Sequence, residues 1–292
     1  MQQPSNLYTF GFALIICLVC SIGLAMGATA LKPMQVTNAR LDIMSNIISA
    51  SGFPEDELAA MQPADVLKLY REKFQGKILD KDNQPVDRTI LEDKLRPLGY
   101  SDETLQDYYV FELIDTYNRK LSILANREGK KVEEYDPGYK ILFAYKPAET
   151  VEAYILPIEG YGLWDMMYGY LALAPDLNTI KGVRFYSHKE TPGLGGEAEK
   201  PWFTNQYVDK KILDASGKLV SIKVAKGKAA NDYEVDGMSG ATITGNGITD
   251  FMLDDLTKYE PYFKTLRANP DEDGENEADA EEETALAAPT GN

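Results

Sequence analysis

Hydrophobic and polar positions divide the chain into an apolar run, a helical region and a strand-rich region. The apolar run extends from Tyr8 to Leu31 and contains no charged side chain. About 20 apolar residues at roughly 1.5 Å each span the ~30 Å hydrocarbon core of a bilayer. No base precedes the run, so it lacks the positive n-region of a cleaved signal peptide. The pattern predicts one uncleaved transmembrane anchor over residues 1–35.

The next stretch, residues 36–138, is mainly helical in pattern. Asn38 is a candidate N-cap for a helix that ends at Gly52. The apolar face of this helix consists of Leu41, Met44, Ile47 and Ile48. Further short helices are predicted between Pro54 and Asn126, and Gly76 to Arg88 indicates a hairpin with a polar turn.

Residues 139–268 change to strand-like alternation. The segments Ile141–Tyr145, Glu152–Ile158 and Ile180–Tyr186 each predict a strand, and Leu219 to Val224 predicts another. A closing helix is predicted from an apolar face made of Ile248, Phe251, Met252, Leu256 and Tyr259. Helices at both ends of a mostly antiparallel sheet indicate an α+β fold.

Charge separates one more segment and excludes one class of partner. The chain has a net charge of −16, and nine acids without a base lie between Asp271 and Glu283. Residues 269–292 lack aromatic side chains and periodicity, which predicts a disordered acidic tail. An acidic body with an acidic tail argues against nucleic acid as a partner.

Cysteine and histidine are scarce. Cys17 and Cys20 both lie in the apolar run, and two are too few for a disulfide framework or a protein-held iron–sulfur cluster. They are interpreted as small residues in lipid, with a cluster shared with another subunit as the alternative. His188 is the only histidine, so no metal site is expected. A structural or solvent role is favoured for it over acid–base chemistry.

The segment from Asp236 to Thr244 (DGMSGATIT) is the most informative in the chain. Three hydroxyls stand there among glycine and alanine, which let a bulky group approach the backbone. The helix start that follows stabilises an anion. A threonine on this turn can therefore carry or touch a phosphate. The alternative is an ordinary Ser/Thr turn with a helix cap at Asn246.

Two segments in the strand region also suggest a ligand. Gly160 to Gly169 (GYGLWDMMYG) presents flat or soft apolar side chains between glycines, although it can equally be a glycine-bent loop packed on the core. His188 to Glu197 (HKETPGLGGE) places Leu194 on a Pro-Gly turn, where polar residues are usual. That leucine can lie against a planar ring, or the segment can be a plain turn.

In their order along the chain, these segments resemble a known family. The Ser-Gly-Ala-Thr run resembles the flavinylation signature of the FMN-binding domain family. The chain as a whole looks like the C subunit of the sodium-translocating NADH:quinone oxidoreductase. Three further features before the Ser-Gly-Ala-Thr run carry this resemblance: Gly-Tyr-Gly-Leu-Trp, Glu-Thr-Pro-Gly-Leu-Gly-Gly-Glu and a Lys-Gly strand. The resemblance covers roughly Phe143 to Phe263 and the anchor. The G subunit of the Rnf electron-transport complex shares two of the segments and is the alternative.

This resemblance implies a covalent cofactor. Thr242 would accept FMN as a phosphoester, attached by a separate flavin transferase. Asp236 would position the loop or help to bind Mg²⁺ and the transferase, and Thr244 would donate a hydrogen bond. The phosphate would lie against Ser239, Gly240 and Ala241. The rest of the implied flavin site consists of Leu163, Trp164, Glu190, Thr191, Gly193 and Leu194.

The implied function is an electron relay in a membrane complex that oxidises NADH, reduces ubiquinone and exports Na⁺. The apolar run from Tyr8 to Leu31 has no Asp, Glu, Lys, Arg or His, so it cannot conduct an ion by itself. Gly193 to Gly196 does not follow the G-x-G-x-x-G spacing, so NADH is expected on another subunit. A membrane-anchored binding or assembly protein without flavin is the alternative from another class.

Membrane orientation is open from charge alone. Lys32 and Arg40 follow the span and lean towards a cytoplasmic body. The resemblance implies instead a periplasmic domain on a single-pass protein of the bacterial inner membrane.

Overall fold

A computed structural model describes residues 6–131, 134 and 138–269. The predicted acidic tail, apart from Asn269, lies outside the described residues. The chain divides into two compact units, Met1–Met44 and Ser45–Asn292, each described by itself.

Helix α1 spans Asn6–Ala50 and contains Pro33. It is long and apolar enough to cross a membrane, with a mean hydropathy of 2.4 in its most apolar window. The predicted N-cap at Asn38 is wrong, because the helix runs through this position without a break. Residues 34–50 contain no glycine or proline, so nothing interrupts the helical hydrogen bonds. Its end is as predicted: Gly52 follows with a φ of +88°, a left-handed conformation that glycine adopts readily.

Short helices and a hairpin follow. The helices are α2 (Glu55–Ala60), α3 (Pro63–Lys73), α4 (Arg88–Leu95), α5 (Asp102–Gln106) and α6 (Val110–Glu128). Strands β1 (Phe74–Leu79) and β2 (Pro85–Val86) pair antiparallel, which confirms the predicted hairpin.

The main sheet is antiparallel throughout. Its other strands are β3 (Lys140–Tyr145), β4 (Ala153–Tyr161), β5 (Met166–Leu173) and β6 (Ile180–Ser187), and the order is β2-β1-β3-β4-β5-β6. Because β1 pairs with β3 over its full length, the predicted boundary at residues 138/139 divides strands of one sheet. The α+β class with a mostly antiparallel sheet is confirmed.

Helices cover both faces of this sheet. On one face, a Cβ at Gly76 would lie 3.3 Å from Cβ of Val110 in α6. The next residue, Lys77, points the other way and donates to the hydroxyl of Tyr262 at 3.1 Å. Tyr262 belongs to α8 (Thr242–Ala268), so α6 and α8 lie on opposite faces. The five residues of the predicted apolar face of α8 are all buried.

Strand β5 was not predicted. The segment from Gly160 to Gly169, for which a ligand-facing surface or a glycine-bent core loop was expected, forms the tip of the β4–β5 hairpin. The strand predicted at Leu219–Val224 is also mostly wrong. Ser221 has a φ of +59°, which interrupts the extended backbone, so only β7 (Lys223–Val224) forms. It pairs parallel with β8 (Glu234–Val235).

Helix α8 packs closely on β4. Asp255 accepts the backbone N–H of Glu159 at 2.7 Å, and the Tyr259 hydroxyl donates to the carbonyl of Ile141 at 2.7 Å. At the crossing point, a Cβ on Gly160 would lie 2.3 Å from Cβ of Phe251. This glycine lets the helix and the strand approach.

We expect Gly160→Ala to lower the free energy of unfolding by about 1–3 kcal/mol, because α8 must move away from β4. Urea denaturation followed by circular dichroism measures the change. Gly138→Ala is the matched control, since a Cβ there meets its nearest atom at 3.7 Å. Equal stability of the two variants would contradict the close approach.

Candidate functional site

One buried carboxylate joins the three segments that the sequence singled out. Glu190 is only 5% exposed. Its Oε1 atom accepts the backbone N–H groups of Leu163 and Trp164, each at 2.9 Å, and its Oε2 atom accepts the hydroxyl of Thr244 at 2.5 Å. The hairpin tip, the loop after β6 and the start of α8 are therefore held together at one side chain.

Glycines make room for this carboxylate. A Cβ at Gly162 would lie 2.6 Å from Oε1 of Glu190, and a Cβ at Gly195 would lie 2.3 Å from Oε2. Both distances are far shorter than any real contact, so a side chain at either position would displace Glu190. These two glycines of the sequence motifs thus serve the packing of the site.

A surface ion pair joins two of the same segments. Lys189, next to Glu190, donates to Asp165 in the hairpin tip. This hydrogen bond lowers the pKa of the Asp165 carboxyl below its usual range. The pair is exposed, so it adds little stability, but it connects the hairpin tip to the loop at a second point.

The two threonines of the last segment have different environments. Helix α8 begins at Thr242, which is exposed, whereas Thr244 is 1% exposed. The expected hydrogen bond from Thr244 to a phosphate is not what the structure shows, because its hydroxyl donates to Glu190. The alternative cap at Asn246 is also wrong, since Asn246 lies inside the helix. Of these two threonines, Thr242 is the exposed one.

Asp236 organises the loop before Thr242. Its carboxylate accepts the Lys228 ammonium at 2.5 Å and the backbone N–H of Ala229 at 2.8 Å. The hydrogen bond from Lys228 is the main reason that the pKa of Asp236 lies below its usual range. Its own backbone N–H donates to Oε1 of Gln206 at 2.8 Å. Two roles were expected for Asp236: positioning the loop, or helping to bind Mg²⁺ and the transferase. These contacts fit the first role.

Exposed apolar side chains lie on the segments next to the turn before Thr242. Gly240 has a φ of +72°, which glycine adopts without strain, and a Cβ there would lie 2.9 Å from Cδ2 of Leu194. Leu194 is itself exposed, on a tight turn in which the Thr191 carbonyl accepts the N–H groups of Leu194 and Gly196. The other exposed large apolar residues on the three joined segments are Tyr161, Leu163, Trp164 and Ile243.

An open cleft lies beside Thr242. Its volume is about 710 Å³. It contains five of the expected site residues, namely Asp236, Ser239, Gly240, Ala241 and Thr242. The lining does not include Leu163, Trp164, Glu190, Thr191, Gly193, Leu194 or Thr244. The structure thus places five of the expected residues in the cleft lining and the other seven outside it.

Sequence reasoning missed some cleft residues. Trp202 and Gln206 reach the cleft from α7 (Pro201–Thr204) and the turn after it. Lys226 and Lys228 line it from the loop after β7. The only sequence signal for any of them was the Lys-Gly pair at the end of a strand.

His188 has a structural position. Its Nδ1 atom accepts the backbone N–H of Glu190 at 3.2 Å. Its Nε2 atom lies 3.5 Å from Oε2 of Glu199 without making a hydrogen bond. The imidazole therefore supports the segment that carries the buried carboxylate.

These features fit a phosphate-linked flavin. The open hydroxyl of Thr242 stands on a turn of small residues, with Lys226 in the same cleft. Apolar side chains for a planar ring lie on the adjoining segments. The FMN-binding domain family matches residues 162–256. Fold and site thus define an FMN-binding domain.

Comparison with full-length relatives identifies the family more closely. The C subunit of the Na⁺-translocating NADH-quinone reductase of Pseudomonas aeruginosa is 34% identical, over 91% of this chain and 98% of the relative. The same subunit from Yersinia pestis is 32% identical, over 91% of this chain and 96% of the relative. The chain belongs to this C-subunit family, which confirms the resemblance drawn from its motifs.

A solved structure supports the fold. The crystal structure of the C subunit from Parabacteroides distasonis matches with a TM-score of 0.57 and 24% identity. The match covers 80% of this chain and 96% of that one.

We expect Glu190→Ala to destabilise the protein by about 3 kcal/mol, because two backbone N–H groups and a buried hydroxyl lose their acceptor. Hydrogen exchange at the amides of Leu163 and Trp164 should become faster. Glu190→Gln, which keeps an acceptor oxygen, should have a smaller effect. Glu152→Ala, at an exposed position, is the control. Unchanged exchange in Glu190→Ala would show that the carboxylate does not hold the hairpin tip.

Proposed function

We propose that this chain is the covalent-FMN electron-relay subunit of a membrane complex that oxidises NADH, reduces ubiquinone and exports Na⁺. Membership of the C-subunit family and the FMN-binding domain support an FMN-containing electron-transfer subunit. The observation that carries the covalent attachment is the contrast between the two threonines. Thr242 is exposed at the start of α8, whereas the Thr244 hydroxyl is buried and donates to Glu190.

Attachment needs a flavin donor and a separate enzyme. In this step a bond forms between Oγ of Thr242 and the FMN phosphorus of FAD. The phosphoanhydride bond breaks, AMP leaves, and the hydroxyl proton passes to a base of the flavin transferase. Ser239, Gly240 and Ala241 are small enough to let the phosphate lie against the backbone. The Asp236 contacts hold this loop in place before the transferase arrives.

The apolar surface next to the attachment turn would receive the isoalloxazine. Leu163, Trp164 and Leu194 are exposed, and Thr191 offers a hydroxyl at the same loop. Glu190 would contribute by holding the backbone of Leu163 and Trp164 through its hydrogen bonds to their N–H groups. When bound, FMN supplies one- and two-electron chemistry, while the protein supplies a fixed position.

NADH oxidation is assigned to another subunit. The described sheet strands β1–β6 pair antiparallel, so they contain no βαβ unit of the kind that holds a dinucleotide. Sodium passage is likewise assigned elsewhere, because the apolar run of α1 has no Asp, Glu, Lys, Arg or His side chain. The proposed role is therefore one step in a longer electron path.

We expect Thr242→Ala to abolish covalent flavin, because the accepting hydroxyl is absent. The protein is co-expressed with a flavin transferase, and denaturing-gel fluorescence and intact mass report the flavin. Thr257→Ala, which removes an exposed hydroxyl further along α8, is the matched control and should keep full flavinylation. Covalent FMN retained by Thr242→Ala would refute the attachment site.

We propose a periplasmic position for the soluble domain, on a single-pass inner-membrane protein. The test uses Ala215→Cys, at an exposed turn, with Cys17 and Cys20 replaced by serine. A membrane-impermeant maleimide should label this variant in cells whose outer membrane alone is permeabilised. Labelling that requires rupture of the inner membrane would place the domain in the cytoplasm.

A further inference from the structure

The cleft beside Thr242 is large enough for a ligand. Its volume of about 710 Å³ lies within the ~300–1,000 Å³ range of small-molecule sites. Five of its lining residues are small: Gly237, Ser239, Gly240, Ala241 and Gly245. Leu163, Trp164 and Leu194 do not line it, so a flavin lying on those side chains leaves this cleft without an assigned ligand.

The walls of the cleft are fixed to one another. Gln206 donates from Nε2 to the Trp202 carbonyl at 3.2 Å and accepts the Asp236 N–H at 2.8 Å. Asp236 in turn binds Lys228 and the N–H of Ala229. The wall with Trp202 and the wall with the lysines thus meet at Asp236. The cleft is formed before any ligand binds.

One wall offers a flat aromatic surface. Trp202 is 47% exposed although it lines the cleft. Its indole Nε1 donates to Oε2 of Glu197 at 2.7 Å, which fixes the orientation of the ring. A fixed, half-exposed indole is suited to stacking against another aromatic ring.

The loop after β7 brings an uncompensated positive charge to the same cleft. Lys228 is neutralised by Asp236, but Lys226 makes no ion pair or side-chain hydrogen bond with any residue that the structure describes. A free ammonium and a fixed indole therefore face the same cleft. Together they match an aromatic ring that carries a phosphate.

We propose that this cleft binds a nucleotide phosphate, with its aromatic ring against Trp202 and its phosphate at Lys226. This inference rests on the proposed function in one respect: the cleft is relevant to flavin chemistry because it adjoins Thr242, the proposed attachment residue. Two ligands share this chemistry. One is the tethered FMN itself, moved away from Leu163 and Trp164. The other is the adenylate half of the flavin donor at the time of transfer.

The first experiment tests adenylate binding without any attached flavin. The chain has two tryptophans, so Trp164→Phe leaves Trp202 as the only tryptophan emitter. The full-length variant, made without flavin transferase and purified in detergent, is titrated with AMP. Trp202 emission should change saturably. Lys226→Gln should weaken the apparent affinity about tenfold, which corresponds to the loss of one ion pair of ~1.4 kcal/mol.

Lys223→Gln is the matched control for charge. Lys223 is exposed on β7, three positions away, and does not line the cleft. It should leave the AMP titration unchanged. If Lys223→Gln and Lys226→Gln weakened the apparent AMP affinity equally, AMP would be attracted by the overall positive charge of this region. That result would contradict binding in the cleft.

The second experiment tests the tethered flavin. Indole quenches flavin emission at near contact, so the flavinylated wild type is compared with Trp164→Phe and Trp202→Phe, after intact mass has confirmed equal loading. Stronger flavin fluorescence in Trp202→Phe than in the wild type would show that the flavin ring occupies the cleft for part of the time. Brighter flavin in Trp164→Phe alone leaves the adenylate as the ligand, provided that AMP binds.

The proposal is overturned if AMP does not alter Trp202 emission and Trp202→Phe does not alter flavin emission. Failure of flavinylation at Thr242 is seen separately by intact mass, and it does not affect the AMP titration. The two proposals can therefore fail independently.

Discussion

The buried carboxylate of Glu190 is the interaction on which the rest of the site depends. A buried carboxylate is costly unless hydrogen-bond donors surround it. Here the donors come from the hairpin tip and from α8, and Thr244 is 54 positions away along the chain. Segments rich in glycine have little structure of their own. They acquire a defined position because each supplies a donor, or the space, that this one side chain requires.

The same hydrogen bond decides which of the two threonines is exposed. Successive residues of an α-helix are about 100° apart, so residues i and i+2 point to nearly opposite sides. Thr244 faces inward to Glu190, and Thr242, two positions earlier in the first turn of α8, must therefore face outward. Placement of the proposed attachment hydroxyl thus follows from the burial of a neighbouring one. The hydroxyl needs no specific partner of its own.

Sequence patterns predicted the parts of the fold that have a single strong periodicity. The apolar face of α8 and the strands at Ile141, Glu152 and Ile180 are examples. Predictions failed where a local preference was overruled: Asn38 and Asn246 are good caps, yet both lie within continuous helices. Strand β5 was missed because the glycines near it also signal a loop. Trp202 and Gln206 were missed for another reason, since only tertiary packing brings them to Thr242.

The exposed apolar side chains near Thr242 suit the proposed role in electron transfer. Large apolar residues that stay exposed in a folded domain usually mark a surface that a ligand or partner covers. A flavin against Leu163 and Trp164 would bury one face of its ring and leave the other open. An enclosed pocket would shield the cofactor, whereas an open platform lets a redox centre of another subunit approach it. In the proposed arrangement, the hydrogen bonds to Glu190 hold the backbone of Leu163 and Trp164, and the open face of the flavin would be left for the partner. This division suits a subunit that passes electrons on and does not bind a substrate of its own.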